Sequence, residues 1–188
     1  MTSFASGGNL RDLIDKTYNF TSEEIMNYFL MILLSLHYLH SKDIMHRDLN
    51  PRNVLVDVLP GGFKILQITD FGLSKNANNQ QDNQTQTLAN LTAKFYRAPE
   101  VFKGQAPTTK VDMWALGIIL CELATKKHPI SLETQITDAN PLEIPSTIPP
   151  LLRTLIGNLL DKNPATRPSA IEVLKLPDVN GAVMNLVN

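Results

Sequence analysis

The apolar positions of this chain fall into two long helical patterns, several short ones, and two brief β-type runs. Over residues 21–41, Ile25, Phe29, Ile32, Leu33, Leu36 and Leu39 recur at helical spacing. Thr21 with Glu24 three residues on forms a capping box at the start. The positions between are also mostly apolar, which predicts a central helix with little solvent-facing surface. Residues 111–125 repeat the pattern with Met113, Trp114, Leu116, Ile118, Ile119, Leu120 and Leu123, and Asp112 in the first turn complements the helix dipole. Shorter helices are expected over 9–15, with Asn9 as N-cap, over 151–160, and over 169–174, where Ser169 and Glu172 form a second box.

Residues 54–58 and 63–69 read as strands, and Pro60-Gly61-Gly62 between them supplies a preset φ and then positive φ, so they predict a hairpin. Pro129, Pro141, Pro145, Pro149 and Pro150 break up residues 128–150, leaving loop with at most a short helix. Nine of the fifteen residues over 76–90 are Asn or Gln. Such a tract buries too little apolar area to offset its ordering entropy, and a mobile loop is expected.

Composition narrows the classes. At 188 residues the chain is one domain or a large piece of one, and 43% hydrophobic content is enough for a core without staples. A formal net charge of -1 provides no basic surplus for phosphate contacts, so no nucleic-acid partner is expected. The apolar run over 30–34 is far shorter than a bilayer span and residues 1–10 lack a signal-peptide pattern, so no membrane partner is expected either. The single cysteine, Cys121, excludes an intrachain disulfide and suits a reducing setting, cytoplasmic or alternatively nuclear; on an apolar helix it is a small core residue. His37 and His40 have no neighbouring carboxylate or Cys to complete a metal set and are assigned structural or surface roles.

The chemistry is concentrated between and after the strands. His46-Arg47-Asp48-Leu49-Asn50-Pro51-Arg52-Asn53 fits H-R-D-L-x-x-x-N and lies between the long helix and the hairpin. Asp70-Phe71-Gly72 follows the second strand, and Ala98-Pro99-Glu100 closes the polar tract. In these three motifs, in this order, the chain resembles the protein kinase superfamily over roughly residues 8–174. The resemblance implies a mainly α fold with a small β-hairpin, the C-terminal lobe of a protein kinase, over residues 1–176, with 177–188 as a tail.

It also implies roles residue by residue. Asp48 would accept the proton of a substrate hydroxyl, while Asn53 and Asp70 would hold Mg²⁺ against the phosphates of ATP. Such a reaction needs oxygen ligands for the metal and a separate carboxylate near the attacking hydroxyl, and this loop-plus-hairpin pattern offers both. Leu55 would lie beneath the adenine. His46 and Phe71 would form the lower half of a packed regulatory column, with Gly72 completing the second motif. Asp112 would anchor the turn at His46, and Glu100 and Arg167 would form a buried ion pair. Thr92 matches the threonine that contacts the catalytic Asp in Ser/Thr kinases. Pro51 and the run from Thr92 to Arg97 resemble the Ser/Thr pattern more than the Tyr one, so protein Ser/Thr hydroxyls are the expected acceptors. Arg47 would pair with a phosphate placed by an upstream activating kinase, with Thr85 and Thr87 the candidate sites. Lys127-His128-Pro129 resembles the NIMA-related group.

Two departures matter. Asn50 stands where the family has a catalytic-loop Lys; removing a positive charge ~4 Å from the phosphoryl group forfeits up to about 4 kcal/mol at an effective dielectric of 20. The G-x-G-x-x-G loop, the ATP-orienting Lys and its Glu partner have no counterpart in these residues, so a truncated kinase lacking its upper lobe is expected, with weak Mg-ATP binding and little turnover of its own. The alternative is a catalytically inactive docking or regulatory module.

Overall fold

The computed structural model describes residues 5–70 and 93–187, and in them the two long apolar helices form the centre. Helix α1 (Leu10–Lys16) starts at Asn9, whose side chain accepts from the Asp12 N–H at 3.0 Å while the Asp12 carboxylate accepts from the Asn9 N–H. Helix α2 (Ser22–His40) has the same reciprocal cap, with Thr21 Oγ1 accepting from the Glu24 N–H at 3.1 Å. The remaining helices are α3 (Pro99–Phe102), α4 (Lys110–Thr125), α5 (Thr134–Thr137), α6 (Pro150–Leu159), α7 (Ala170–Leu174) and α8 (Pro177–Val187).

Helix α4 is buried along its whole length from Val111 to Leu123 and packs against α2 and α6. Full burial of each Leu, Ile or Phe side chain stabilises by about 1.5–3 kcal/mol, which is why these helices and not the loops set the frame. Gly117 makes the α4–α6 approach possible: a Cβ there would lie 2.8 Å from Leu159 Cβ and 2.9 Å from Leu160 Cδ2. The helix ends on Lys126 in the left-handed conformation, a usual place for a C-terminal stop.

Strands β1 (Val54–Val58) and β2 (Lys64–Ile68) pair antiparallel with Val56 opposite Leu66. Gly61 and Gly62, at φ 89° and 83°, make the turn. Val54, Val56 and Leu66 are buried, and the hairpin packs on α2. Residues 7–8 run along β1 through Gly7 N–H to the Val56 carbonyl and Val56 N–H to the Gly8 carbonyl, both 2.9 Å.

Among the described residues four elements were not anticipated from the pattern, the first being a 3₁₀ turn over Pro51–Asn53. Residues 94–96 form a 3₁₀ turn, Pro99–Phe102 forms a helical turn with Pro at its start, and residues expected as a tail form α8. Helix α8 packs on α2 and α7 with Val179 fully buried. Asn180 and Gly181 weaken its intrinsic propensity, so its helicity rests on that packing. The polar tract over 76–90 lies outside the described residues. Among the described residues no helix is long and apolar enough to cross a membrane.

Candidate active site

The loop between α2 and β1 is held from below by one carboxylate. Arg47 has φ 68°, a left-handed conformation that costs a non-glycine residue about 1–2 kcal/mol and persists only where its surroundings fix it. Asp112, in the first turn of α4, supplies that constraint: Oδ2 accepts from the His46 N–H and Oδ1 from the Arg47 N–H, each at 2.9 Å. Asp112 is 1% exposed, and His40 Nε2 reaches its Oδ2 at 2.9 Å. The anchoring geometry expected of Asp112 is therefore present, with His40 as an additional partner.

Past this anchored turn the loop folds onto Asp48, which is half-buried. Asn53, at the end of the 3₁₀ turn Pro51–Asn53, donates from Nδ2 to the Asp48 carbonyl at 2.8 Å and to Asp48 Oδ2 at 3.0 Å. Asn50 donates from Nδ2 to the same carbonyl at 2.9 Å, and its Oδ1 accepts from the Arg52 N–H at 3.0 Å, capping the turn. Asn50 is thus buried and engaged with its own loop, a local role that its place in the motif did not indicate. His46 Nε2 lies 2.8 Å from the Thr69 carbonyl, to which it donates, and the Thr69 N–H donates to the Asn53 carbonyl at 2.9 Å. These bonds tie the end of β2 to the loop.

Asp70 follows immediately, exposed and at φ 66°, where the chain turns out of the strand. Asn53 directs its amide nitrogen at Asp48, which turns Oδ1 away from it. With the exposed Asp70 carboxylate this offers hard oxygen donors, the type that suits Mg²⁺. Leu55 is partly exposed on β1, an apolar surface that suits a purine ring. Phe71, Gly72, Thr85, Thr87 and Thr92 lie outside the described residues.

Glu100 and Arg167 form the expected buried pair, at 3% and 0% exposure. The contact is bidentate, Nη1 to Oε1 at 2.7 Å and Nη2 to Oε2 at 2.9 Å. Arg167 also donates to the Lys110 and Asp161 carbonyls at 2.7 and 2.9 Å and lies over the Trp114 ring, tying α3 to the start of α4.

A second buried network was missed in the sequence. Glu122 accepts from Arg11 Nη1 at 2.7 Å and from the Tyr96 hydroxyl at 2.6 Å, and Arg11 also pairs with Asp15 at 2.6 Å. Burial, and next the Glu122 charge, push the Tyr96 phenol well above its usual range. The network joins α1, α4 and the segment before α3, and it borders a cavity of about 270 Å³ beside Asn50, Pro51 and Arg52. The available signal was Glu122 itself, a carboxylate between Cys121 and Leu123 in an apolar helix, which must find a partner when buried.

Comparison with known proteins agrees with this geometry. A family model described as the protein kinase domain matches residues 1–177. The chain is 32% identical over 197 residues to the serine/threonine-protein kinase Nek11 of Homo sapiens, an alignment covering 100% of the chain and 29% of that protein. It is 31% identical over 181 residues to the serine/threonine-protein kinase STE11 of Saccharomyces cerevisiae, covering 93% and 24%. Against an Aurora kinase of Schizosaccharomyces pombe it is 33% identical over 181 residues, covering 93% and 48%. The chain therefore spans less than half the length of each of these curated relatives.

Proposed function

Because the chain belongs to the protein kinase family, we propose that it forms the lower lobe of a serine/threonine kinase that transfers the γ-phosphoryl group of ATP to Ser or Thr hydroxyls of proteins. It would do so with an upper lobe that carries the ATP-orienting lysine. The observation that carries this reading is the pair of bonds from Asn53 Nδ2 to the carbonyl and carboxylate of Asp48, which presents a base and a metal ligand from one rigid loop.

Asp48 takes the substrate hydroxyl proton as the new oxygen–phosphorus bond forms and the bond to the β-phosphate oxygen breaks. Asn53 Oδ1 and Asp70 would hold Mg²⁺, which supplies charge neutralisation at the phosphate oxygens. Asp112 keeps the base in place by fixing the left-handed turn one residue before it. Asn50, engaged within the loop, contributes rigidity rather than charge. The balanced net charge supports protein rather than nucleic-acid partners. The relatives carry Nek, STE11 and Aurora names, so they support Ser/Thr acceptors without selecting a branch.

Incubating the protein together with an upper lobe that carries the ATP-orienting lysine, γ-labelled ATP, Mg²⁺ and a mixed protein substrate is expected to yield labelled phosphoserine and phosphothreonine. Phosphotyrosine as the main product would overturn the acceptor assignment, and protein binding without transfer would favour a docking or regulatory module.

A further inference from the structure

We propose that the cavity beside the Asp48 loop, with Arg52 on its wall, receives an anionic side chain of the substrate protein, a carboxylate or a phosphate ester, close in sequence to the acceptor hydroxyl. The proposal rests on the kinase reading, since it names the substrate class of that same site. The cavity holds about 270 Å³ and is walled by Asn50, Pro51 and Arg52 of the loop, by Tyr96, and by Arg11 and Glu122. Pockets for drug-sized molecules begin at about 300 Å³, so the space suits one side chain. Its position is fixed relative to the base, because Asn50 donates to the Asp48 carbonyl at 2.9 Å. A hydroxyl held at Asp48 puts its sequence neighbours, about 3.3 Å apart in an extended chain, within reach of the opening.

The sign of the expected partner follows from which wall charges are already matched. The Glu122 side chain is 4% exposed and each of its oxygens is occupied, Oε1 by Arg11 Nη1 at 2.7 Å and Oε2 by the Tyr96 hydroxyl at 2.6 Å. Arg11 directs its other terminal nitrogen to the exposed Asp15 at 2.6 Å. A substrate cation at Glu122 would have to displace one of these donors, and unmaking a buried bond to a charge is unfavourable. Arg52 is different: it is exposed, and its guanidinium has no partner among the described residues. Its backbone is nonetheless fixed, with the N–H donated to Asn50 Oδ1 at 3.0 Å and Pro51 and Asn53 buried on either side. Arg11 Nε is a second buried donor without a partner among the described residues. The wall therefore offers an incoming group donors and one unmatched positive charge, and the planar guanidinium fork of Arg52 matches the two oxygens of a carboxylate or phosphate.

The test uses serine peptides that carry Glu, phosphoserine, Gln or Lys at one position, with that position moved residue by residue along both sides of the acceptor. Affinity for the protein itself is read by NMR titration, and kcat/KM for the peptide is read with the protein joined by an upper lobe. At one position Glu is expected to bind about fivefold more tightly than Gln, the upper end for an ion pair in contact with water, and Lys more weakly than Gln. The gain should appear in KM for the peptide and shrink at high ionic strength. Phosphoserine above Glu at that position would assign the site to a phosphate ester, and Glu above phosphoserine to a carboxylate. Arg52→Gln is expected to erase the Glu-to-Gln ratio and Arg52→Glu to invert it in favour of Lys; a ratio taken within one folded variant is independent of that variant's stability. Equal affinity for the Glu, Gln and Lys peptides at every position, a preference for Lys in the unsubstituted protein, or a Glu preference that survives Arg52→Glu would overturn the proposal. Absence of transfer to every peptide would refute the kinase reading instead, and the affinity ratios would still decide whether the cavity takes an anionic side chain.

Discussion

Replacing Glu100 by Ala would strand the Arg167 guanidinium in the interior. Arg167 is fully buried, and Glu100 accepts two of its N–H groups at 2.7 and 2.9 Å. The Lys110 and Asp161 carbonyls satisfy two more donors but supply no charge. Breaking a buried pair from one side costs about 3–5 kcal/mol, because the remaining ion is left desolvated and uncompensated. Set against the 5–15 kcal/mol of stability usual for a domain, that is from about a fifth of the margin to all of it. The pair itself need not be strongly stabilising, since replacing both partners by apolar residues of similar volume is often neutral. Glu100→Ala should therefore lower the unfolding free energy in urea by about 3–5 kcal/mol. Glu100→Met with Arg167→Met should recover most of that loss. A single variant costing under about 1 kcal/mol, or a double variant as unstable as the sum of both singles, would refute the reasoning.

Three further outcomes follow from the packing. Burial pushes the Cys121 thiol up from the ordinary 9.0 to about 11, so the thiol form is favoured in the folded state. Its contribution to stability is then full below pH 9 and lost as the pH rises through about 11; alkylation of the folded protein at pH 8 should be far slower than of the unfolded chain. Gly117→Ala should destabilise in a urea titration, since overpacking against Leu159 costs about 1–3 kcal/mol and outweighs the roughly 1 kcal/mol gained in helix propensity. Tyr96→Phe leaves buried Glu122 with Arg11 as its remaining side-chain donor and should cost about 1–3 kcal/mol by the same assay.

What could be read from the sequence was what local chemistry determines. The reciprocal caps at Thr21 and Ser169 and the Gly61-Gly62 turn depend on residues a few positions apart, and the corresponding elements begin where the pattern places them. The partners of Asp112, Glu100 and Arg167 are tens of residues away, and they were readable through the resemblance rather than through spacing. Where neither guide applied, the sequence was silent. His40 and Asp112 are 72 positions apart, and nothing on α2 marks one histidine over the other. Arg11 and Glu122 are 111 apart and meet because α1 and α4 pack around the same loop. Asn50 was placed by motif at the phosphoryl group, yet an Asn just before a Pro-led turn is also a strong cap, and that local preference directs its side chain inward.

The central claim is that Asp48 serves as the base in phosphoryl transfer. The measurement that tests it most directly is the single-turnover rate of γ-phosphoryl transfer from Mg-ATP to a protein serine, with the protein joined by its upper lobe compared against the same assembly carrying Asp48→Asn. Asn keeps the shape and the contacts around Asn53 but cannot take the proton, so the rate should fall by about 10²–10⁴-fold while the urea midpoint stays near that of the unsubstituted protein. Transfer at an undiminished rate in a folded Asp48→Asn protein would contradict the account.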